Sequence, residues 1–253
     1  TTVTFSATDL SGNIGQATAT VTITDLTPPV ISLIGASSMI LNVGDVFSDP
    51  GASVSDNVDV GLTVIPTGSV NTNVVGLYTL NYNISDAAGN AAITVTRSVT
   101  VQDNAAPVVT PPASITVAAT NAAGTSNIVA AINTFLNAAI ATDVVDGVRT
   151  VTHDAPTTFP LGLTTVTFSA TDLSSNTGQA TATVTVEDQS APVITLTGGA
   201  MTLNVGDVFT DPGASVSDNV DVGLTVIPTG SVNTNVVGLY TLTYNISDAA
   251  GNA

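Results

Sequence analysis

The sequence contains no cysteine, no tryptophan and no lysine, and each absence narrows what the protein can be. Without cysteine, core packing alone must hold the domains together, because no disulfide can form. Lysine and arginine together number 2 against 19 acidic residues, so the formal net charge is −17. Such a charge argues against nucleic acid and anionic membranes as partners. No apolar run approaches the roughly 18 residues that a membrane-spanning helix needs.

Catalytic side chains are equally scarce. His153 is the only histidine, and no serine lies in a nucleophile-elbow context. Paired carboxylates can hydrolyse a glycosidic bond, but here the aspartate-rich loops recur once per domain and not in a single cleft. We therefore expect that the protein is not an enzyme. Sugar binding through loops is a separate alternative, although the chain has no tryptophan and only four tyrosines for stacking against a sugar.

What the sequence does contain is a long internal repeat. Thr2–Asp25 returns 163 residues later as Thr165–Asp188, and Leu41–Ala91 returns 162 residues later as Leu203–Ala253. Self-similarity at a fixed period is typical of an array of small domains. The chain thus holds about one and a half copies of a two-domain unit, and we interpret it as a segment of a longer polypeptide.

Composition and periodicity both predict β-structure. Valine, threonine and isoleucine are abundant, and Thr165–Ala170 and Ala180–Val186 alternate apolar with hydroxyl side chains around a turn cluster, which indicates a hairpin. Short strands at such spacing predict an all-β chain of tandem immunoglobulin-like antiparallel sandwiches in a linear array. The other predicted strands are Val30–Leu33, Met39–Val43, Ala52–Val54, Leu62–Ile65, Leu77–Ile84 and Ile93–Val101.

Proline-bearing joints divide the chain into domains. DLTPPV, DNAAPVV and DQSAPV each follow a set of strands and are short enough to make stiff linkers. They predict the last strands of one domain at residues 1–26, complete domains at 27–103 and 104–188, and a domain lacking its last strand at 189–253. One stretch departs from the β pattern: Ser126–Thr142 has helical apolar spacing and predicts a short helix on the sandwich edge, with Ser126 as its N-cap.

The repeated segments resemble two known families. Phe159–Asp188 (FPLGLTTVTFSATDLSSNTGQATATVTVED), preceded by APVVTPPASITV and ATDVVDG, resembles the hyalin repeat domain, and Thr1–Asp25 is similar to its last third. The alternate domain (GDVFSDPGASVSDNVDV…GLYTLNYNISDAAGN) resembles the immunoglobulin-like domain of crystal toxins and large bacterial surface proteins. Both resemblances imply an extracellular adhesin or stalk, often with calcium at domain junctions. The chain departs from many hyalin repeats by lacking their cysteine pair and by carrying the helical insertion.

Aspartates gather at the predicted joints. In an immunoglobulin-like sandwich, two loops of each domain return to the end where the chain enters, next to the linker aspartate. Carboxylates crowded there without lysine or arginine favour a hard cation, and Ca²⁺ accepts six to eight oxygen ligands. The predicted Ca²⁺ ligands are, at the first joint, Asp25, Asp56, Asn57, Asp59, Asp86 and Asn90; at the second, Asp103, Asp143, Asp146, Asp172 and Asn176; and at the third, Asp188, Asp218, Asn219, Asp221, Asp248 and Asn252.

Plain turn chemistry competes with this interpretation, because Asp-x-x-Gly-Asn also forms a hairpin turn without any ion. Neither loop matches the EF-hand or the glycine-rich calcium repeat. The favoured function is a stalk or fibre spacer at the bacterial cell surface, stiffened by interdomain calcium and contacting neighbouring repeats of its own chain. The alternatives are a multivalent module that binds a glycan or protein and a subunit that assembles laterally into a filament.

Overall fold

The structure is a computed structural model that describes residues 1–253. It forms two compact units, Thr1–Asn104 and Ala105–Ala253. Strands dominate both units, and a single helix of seven residues is present, which confirms the predicted all-β class. With seven residues, this helix is far shorter than a membrane-spanning helix.

The first unit begins with an isolated hairpin, in which Thr2–Thr8 (β1) pairs antiparallel with Ile14–Thr20 (β2). The domain that follows contains two small sheets. Antiparallel β3 and β5 form one, and the other has the order β4-β7-β6, in which β4 runs parallel to β7. Its strands are Val30–Leu33 (β3), Ser38–Asn42 (β4), Ala52–Ser55 (β5), Gly76–Tyr82 (β6) and Val95–Gln102 (β7).

The core of this domain contains one buried ion pair. Ile31, Leu80 and Tyr82 form its apolar centre. Beside them the fully buried Arg97 of β7 contacts the carboxylate of Asp49 and donates a 2.6 Å hydrogen bond to the carbonyl of Ile34. The DPG sequence around Asp49 is typical of a turn, and Asp49 accepts from the N–H of Gly51 as a turn residue does, but it is also the counter-ion of a buried cation.

The second unit begins with a larger sandwich, which the sequence predicts as residues 104–188. One sheet has the order β13-β15-β16-β9, a second has the order β12-β11-β8, and β10 pairs with β14. The long β15–β16 hairpin repeats β1–β2, and β9 joins β16 in parallel. The elements are Val108–Thr110 (β8), Ile115–Ala118 (β9), Thr125–Ser126 (β10), Ala130–Leu136 (α1), Ile140–Asp143 (β11), Gly147–Arg149 (β12), Val151–His153 (β13), Thr158–Phe159 (β14), Gly162–Thr171 (β15) and Thr177–Glu187 (β16).

The helix contributes to the core of this sandwich, but it is shorter than the spacing predicts. Only Ala130–Leu136 is helical, and the predicted N-cap Ser126 belongs to β10 instead. The C-terminal part of the predicted helix forms β11, because its residues pair with β8. Ile132, Phe135 and Leu136 are buried, and Phe135 packs edge-on against Phe168 with ring centroids 5.7 Å apart.

The final domain has fewer strands than its copy in the first unit. Val193–Leu196 (β17) pairs with Ala214–Ser217 (β18), as β3 pairs with β5. Residues 201–213 and 231–242 contain no strand. The predicted strand Leu62–Ile65 is also absent from the first copy, where residues 62–65 form no ladder.

Candidate metal centre

Three kinds of aspartate contribute to the acidic clusters, and the first kind lies in a hairpin turn. Asp86 accepts two hydrogen bonds from Asn90, one from the backbone N–H and one from the side-chain amide, both at 2.7 Å. Asp172 and Asn176 make the same pair of contacts at 2.7 Å, and in Asp248–Asn252 both distances are 2.8 Å. Each turn holds its carboxylate rigidly, because both oxygens are anchored.

The second kind lies in the loop at the end of β5, β11 or β18. Asp56 accepts the N–H groups of Val58 and Asp59 through one oxygen, at 2.8 and 2.9 Å. Asp143 and Asp218 hold their own loops in the same way. A later aspartate in each loop reaches the hairpin: Asp59 accepts from the N–H of Ala87 at 2.7 Å, and equivalent bonds join Asp146 to Leu173 and Asp221 to Ala249.

The third kind is the linker aspartate. Asp25 accepts the N–H of Thr27 through one oxygen at 3.1 Å, and Asp188 accepts that of Ser190 at 3.2 Å. The hairpin is also hydrogen-bonded to the linker backbone, because the side-chain amide of Asn90 donates to the carbonyl of Asp25 at 3.2 Å. Asn252 donates to the carbonyl of Asp188 at 3.2 Å.

These loops bring carboxylates from distant parts of the chain together. Asp25, Asp56 and Asp86 each place one oxygen within 4.8 Å of the others, and so do Asp188, Asp221 and Asp248. Asp143, Asp146 and Asp172 form the second cluster, within the same limit, so that the cluster of Asp188, Asp221 and Asp248 is the third. The first and third clusters thus each contain a linker, a loop and a hairpin aspartate, and the second contains two loop aspartates and a hairpin aspartate. That these residues bind Ca²⁺ stays a prediction.

Several of these oxygens are buried and accept no hydrogen bond. At the first cluster they are Oδ2 of Asp25 and Oδ1 of Asp56, and at the third Oδ2 of Asp188. Oδ2 of Asp218, which lies on the same loop as Asp221 but outside the cluster, is also buried and accepts no hydrogen bond. At the second cluster, Oδ2 of Asp143 is likewise buried and accepts no hydrogen bond. In each of these residues the other oxygen anchors the local turn. Buried acceptors without partners are rare, because their lost hydration is costly.

The electrostatics favour charged carboxylates. Hydrogen bonds from the N–H groups of Asp59 and Val58 lower the pKa of Asp56 below its usual value. Burial raises the pKa of Asp172 and of Asp248, but the bonds from Asn176 and Asn252 outweigh burial and leave both pKa values lowered. Arg149 adds to this effect at Asp172. Arg97, the other cation of the chain, is committed to Asp49.

Not every predicted ligand reaches a cluster. Asn57 is exposed on its loop, whereas Asn219, its copy, donates from Nδ2 to the carbonyl of Ala119 at 2.9 Å and keeps a buried Oδ1 without a donor. Asp103 is a buried residue near the end of the first unit, and its part in a site stays a prediction. Of the two loop aspartates, Asp56 joins the first cluster and Asp221 joins the third.

Turn chemistry alone accounts for part of this arrangement. Asp9, the copy of Asp172 in the isolated hairpin, holds Asn13 through its backbone N–H and its side-chain amide, both at 2.8 Å, in an exposed setting without other carboxylates. The hairpin turn therefore forms without a cluster. Turn formation does not explain why the linker and loop aspartates have buried oxygens that accept no hydrogen bond.

Comparison with known proteins identifies the family. The model of the bacterial surface protein Ig-like domain matches residues 31–101 and again residues 194–253. The chain belongs to this family. Hyalin of Strongylocentrotus purpuratus is 33% identical over the whole chain, which covers 22% of that protein, and hyalin of Lytechinus variegatus is 32% identical, with 50% of it covered. The chain thus spans half or less of the length of these relatives. Both predicted resemblances, to the Ig-like domain and to the hyalin-type repeat, are confirmed.

Solved structures give weaker similarity. The protocadherin gammaB7 EC3-6 cis-dimer structure is 15% identical, with 98% of this chain and 77% of that chain covered and a TM-score of 0.34. The lipoprotein BT2262 of Bacteroides thetaiotaomicron is 23% identical, with coverages of 57% and 61% and a TM-score of 0.28. The match to domains of surface proteins supports an extracellular, adhesion-type repeat segment.

Proposed function

We propose that this segment is a spacer, in a stalk or fibre at the bacterial cell surface, whose domain joints are stiffened by Ca²⁺. The observation that carries the proposal is the set of buried carboxylate oxygens without hydrogen-bond donors inside clusters of three aspartates. Like charges at such distances repel strongly unless a cation lies among them. No side chain of the chain supplies that cation at the first cluster, because Arg97 pairs with Asp49.

Calcium suits these donors better than other common cations. All of the candidate ligand atoms are carboxylate, amide or carbonyl oxygens, which hard cations prefer, and the chain has neither cysteine nor a histidine at any cluster. Mg²⁺ demands a tighter octahedral shell and retains its waters, whereas Ca²⁺ tolerates irregular oxygen cages. When bound, the ion would supply the positive charge that Asp25, Asp56 and Asp86, or Asp188, Asp221 and Asp248, lack.

The mechanical role follows from where the ligands come from in the chain. At the first cluster, Asp25 belongs to the linker, while Asp56 and Asp86 belong to two loops of the domain that follows. A cation that contacts all three carboxylates would restrict the motion of the linker relative to the domain that follows it. Asn90 already holds the linker carbonyl, so the loops are preorganised for this task. Repeats fixed end to end in this way act as a rod.

The experiment is a thermal melt and small-angle scattering on the 253-residue chain, in 1 mM Ca²⁺, in 1 mM Mg²⁺ and in chelator. A site with a Kd of about 10 µM stabilises its folded domain by about 2.7 kcal/mol at 1 mM Ca²⁺. We expect a higher melting temperature and a larger maximum dimension in Ca²⁺ than in chelator. Asp25→Asn and Asp188→Asn should each reduce both effects.

The matched control is Asp9→Asn, because Asp9 makes the same turn without a cluster. It should leave the calcium response unchanged. If chelator alters neither the melt nor the dimension, or if Asp9→Asn reduces the response as much as Asp188→Asn does, calcium stiffening is wrong. The repeated loops are then turn chemistry on an acidic surface.

A further inference from the structure

The loop that follows β18 contacts the domain before it within the second unit. The side-chain amide of Asn219 donates a 2.9 Å hydrogen bond to the backbone carbonyl of Ala119, 100 residues earlier in the chain. The next residue, Val220, packs against the hydrophobic core of the hyalin-type sandwich, to which Ala119 and Val186 belong. One polar and one apolar side chain therefore join the final domain directly to its neighbour, through protein atoms alone.

The surface that receives this loop is a well-anchored part of the sandwich. Ala119 directly follows β9 and is 5% exposed. Its N–H donates to the carbonyl of Glu187 at 2.7 Å, which ties it to the end of β16. Because Glu187 immediately precedes the linker aspartate Asp188, the contact with Asn219 lies where the chain leaves the sandwich.

The loop does not need the asparagine for its own conformation. The carboxylate of Asp218 shapes the turn by accepting two backbone N–H groups, at 2.7 and 2.9 Å. Asp143 shapes the same turn in the hyalin-type domain, where Val144 occupies the asparagine position. A valine thus serves the turn as well, which leaves the amide of Asn219 for its bond to Ala119. The Oδ1 atom of Asn219 is also buried, so the amide is enclosed at the joint.

We propose that Asn219 and Val220 form a docking element, by which the bacterial Ig-like domain recognises a hyalin-type domain as its N-terminal neighbour and holds it without a metal ion. The amide satisfies the backbone carbonyl that follows β9, and the valine covers the adjacent apolar core. Domains that share no large interface move relative to one another by default, and this contact restrains that motion. The inference does not rest on calcium, because neither residue belongs to the clustered aspartates.

The test measures the relative orientation of the two domains in the 253-residue chain. The chain has no cysteine, so Thr181→Cys in β16 and Thr195→Cys in β17, both at exposed positions, accept spin labels specifically. Pulsed electron paramagnetic resonance in chelator then gives the distribution of distances between the labels. We expect a narrow distribution for the labelled chain. It should become at least about twofold broader when Asn219→Ala and Val220→Ala are added together, because the domains then move more freely.

The matched control is Asn57→Ala with Val58→Ala, in the identical loop of the first copy, where both side chains are exposed. It should leave the distribution narrow. Hydrogen exchange in β15 and β16 shows whether the sandwich stays folded in each variant. If the double variant unfolds the sandwich, Asn219→Val takes its place. That variant copies the loop of the hyalin-type domain, so the turn is kept and only the amide is lost, and the distribution should still broaden.

Two results would overturn the proposal. One is an equal width for the labelled chain and for the folded variants at Asn219 and Val220. The other is a broad distribution for the labelled chain in chelator that narrows in Ca²⁺, since the ion and not the loop would then hold the joint. A narrow distribution in chelator that broadens in the variants supports the docking element, even where the melt and the scattering show no response to calcium.

Discussion

The side-chain amide of Asn90 donates a 3.2 Å hydrogen bond to the backbone carbonyl of Asp25, 65 residues earlier in the chain. The same amide holds Asp86 at 2.7 Å, so one residue joins the hairpin turn to the linker. Asn252 repeats both contacts in the second unit. The linker is therefore fixed to its domain by direct hydrogen bonds, before any ion is considered.

Asn90→Ala should loosen the linker more than it loosens the hairpin turn. It removes the bonds to Asp86 and to the carbonyl of Asp25, a loss of about 1–2 kcal/mol in the free energy of unfolding. The measurement is hydrogen exchange at residues 25–27 together with a urea melt. Asn13→Ala is the control, since Asn13 holds only Asp9. Equal exchange at residues 25–27 in the two variants would contradict the prediction.

Arg97→Ala should destabilise the first copy of the Ig-like domain strongly. Arg97 is fully buried, and its loss leaves Asp49 without a counter-ion and the carbonyl of Ile34 without the hydrogen bond that Arg97 donates. Removing one partner of a buried ion pair typically costs about 3–5 kcal/mol. Urea denaturation followed by hydrogen exchange in β6 and β7 measures the effect. Arg149→Ala is the comparison: Arg149 is partly exposed and bonds the carbonyl of Thr171, so a cost of about 1 kcal/mol is expected.

The first copy should lose stability in strong alkali. Burial, reinforced by the bond to Asp49, raises the pKa of Tyr82 to about 12. Because the folded pKa lies above the unfolded value of about 10, this contribution is complete below pH 10 and is lost as the pH rises through 12. Chemical denaturation between pH 9 and 12.5 should show the decline. Tyr82→Phe should lower stability at pH 8 but flatten the alkaline slope; an unchanged slope would count against the assignment.

Gly178→Ala should disrupt the sandwich of residues 104–188, whereas Gly15→Ala should be tolerated. A Cβ on Gly178 would lie 1.8 Å from the carbonyl oxygen of Pro107, but on Gly15, its copy in the isolated hairpin, the nearest atom is 3.9 Å away. Forcing atoms into a packed site typically costs about 1–3 kcal/mol. Thermal melts of both variants provide the comparison. Similar melting temperatures for the two would contradict the packing described for Pro107.

Much of this structure follows from local patterns in the sequence. The β15–β16 hairpin shows period-two alternation around a turn cluster, and its pairing is regular from Gly162 to Val186. The acidic clusters also follow, since the loops of a sandwich return to the end where the chain enters. These features depend on short stretches of chain, or on a topology common to many sandwiches.

Other features depend on contacts between distant residues. Apolar spacing over Ser126–Thr142 fits a helix, yet β11 forms within it because β8 offers a partner 30 residues away. The ion pair of Asp49 with Arg97 joins residues that are 48 positions apart. The DPG sequence at Asp49 indicates a turn but does not indicate this ion pair. The parallel pairing of β9 with β16 could not be predicted from the sequence either. Periodicity indicates which face of a strand is buried, but it does not indicate which strand lies beside it.

That parallel pairing has a consequence for how the domains bear load. In the first copy β4 lies near the start of the domain and β7 at its end, and the two are hydrogen-bonded side by side in the same direction over five residue pairs. In the sandwich of the second unit β9 and β16 share this arrangement. Tension applied to the two ends of either domain acts along these strands in shear, so all the bonds must break together and none can be peeled away singly.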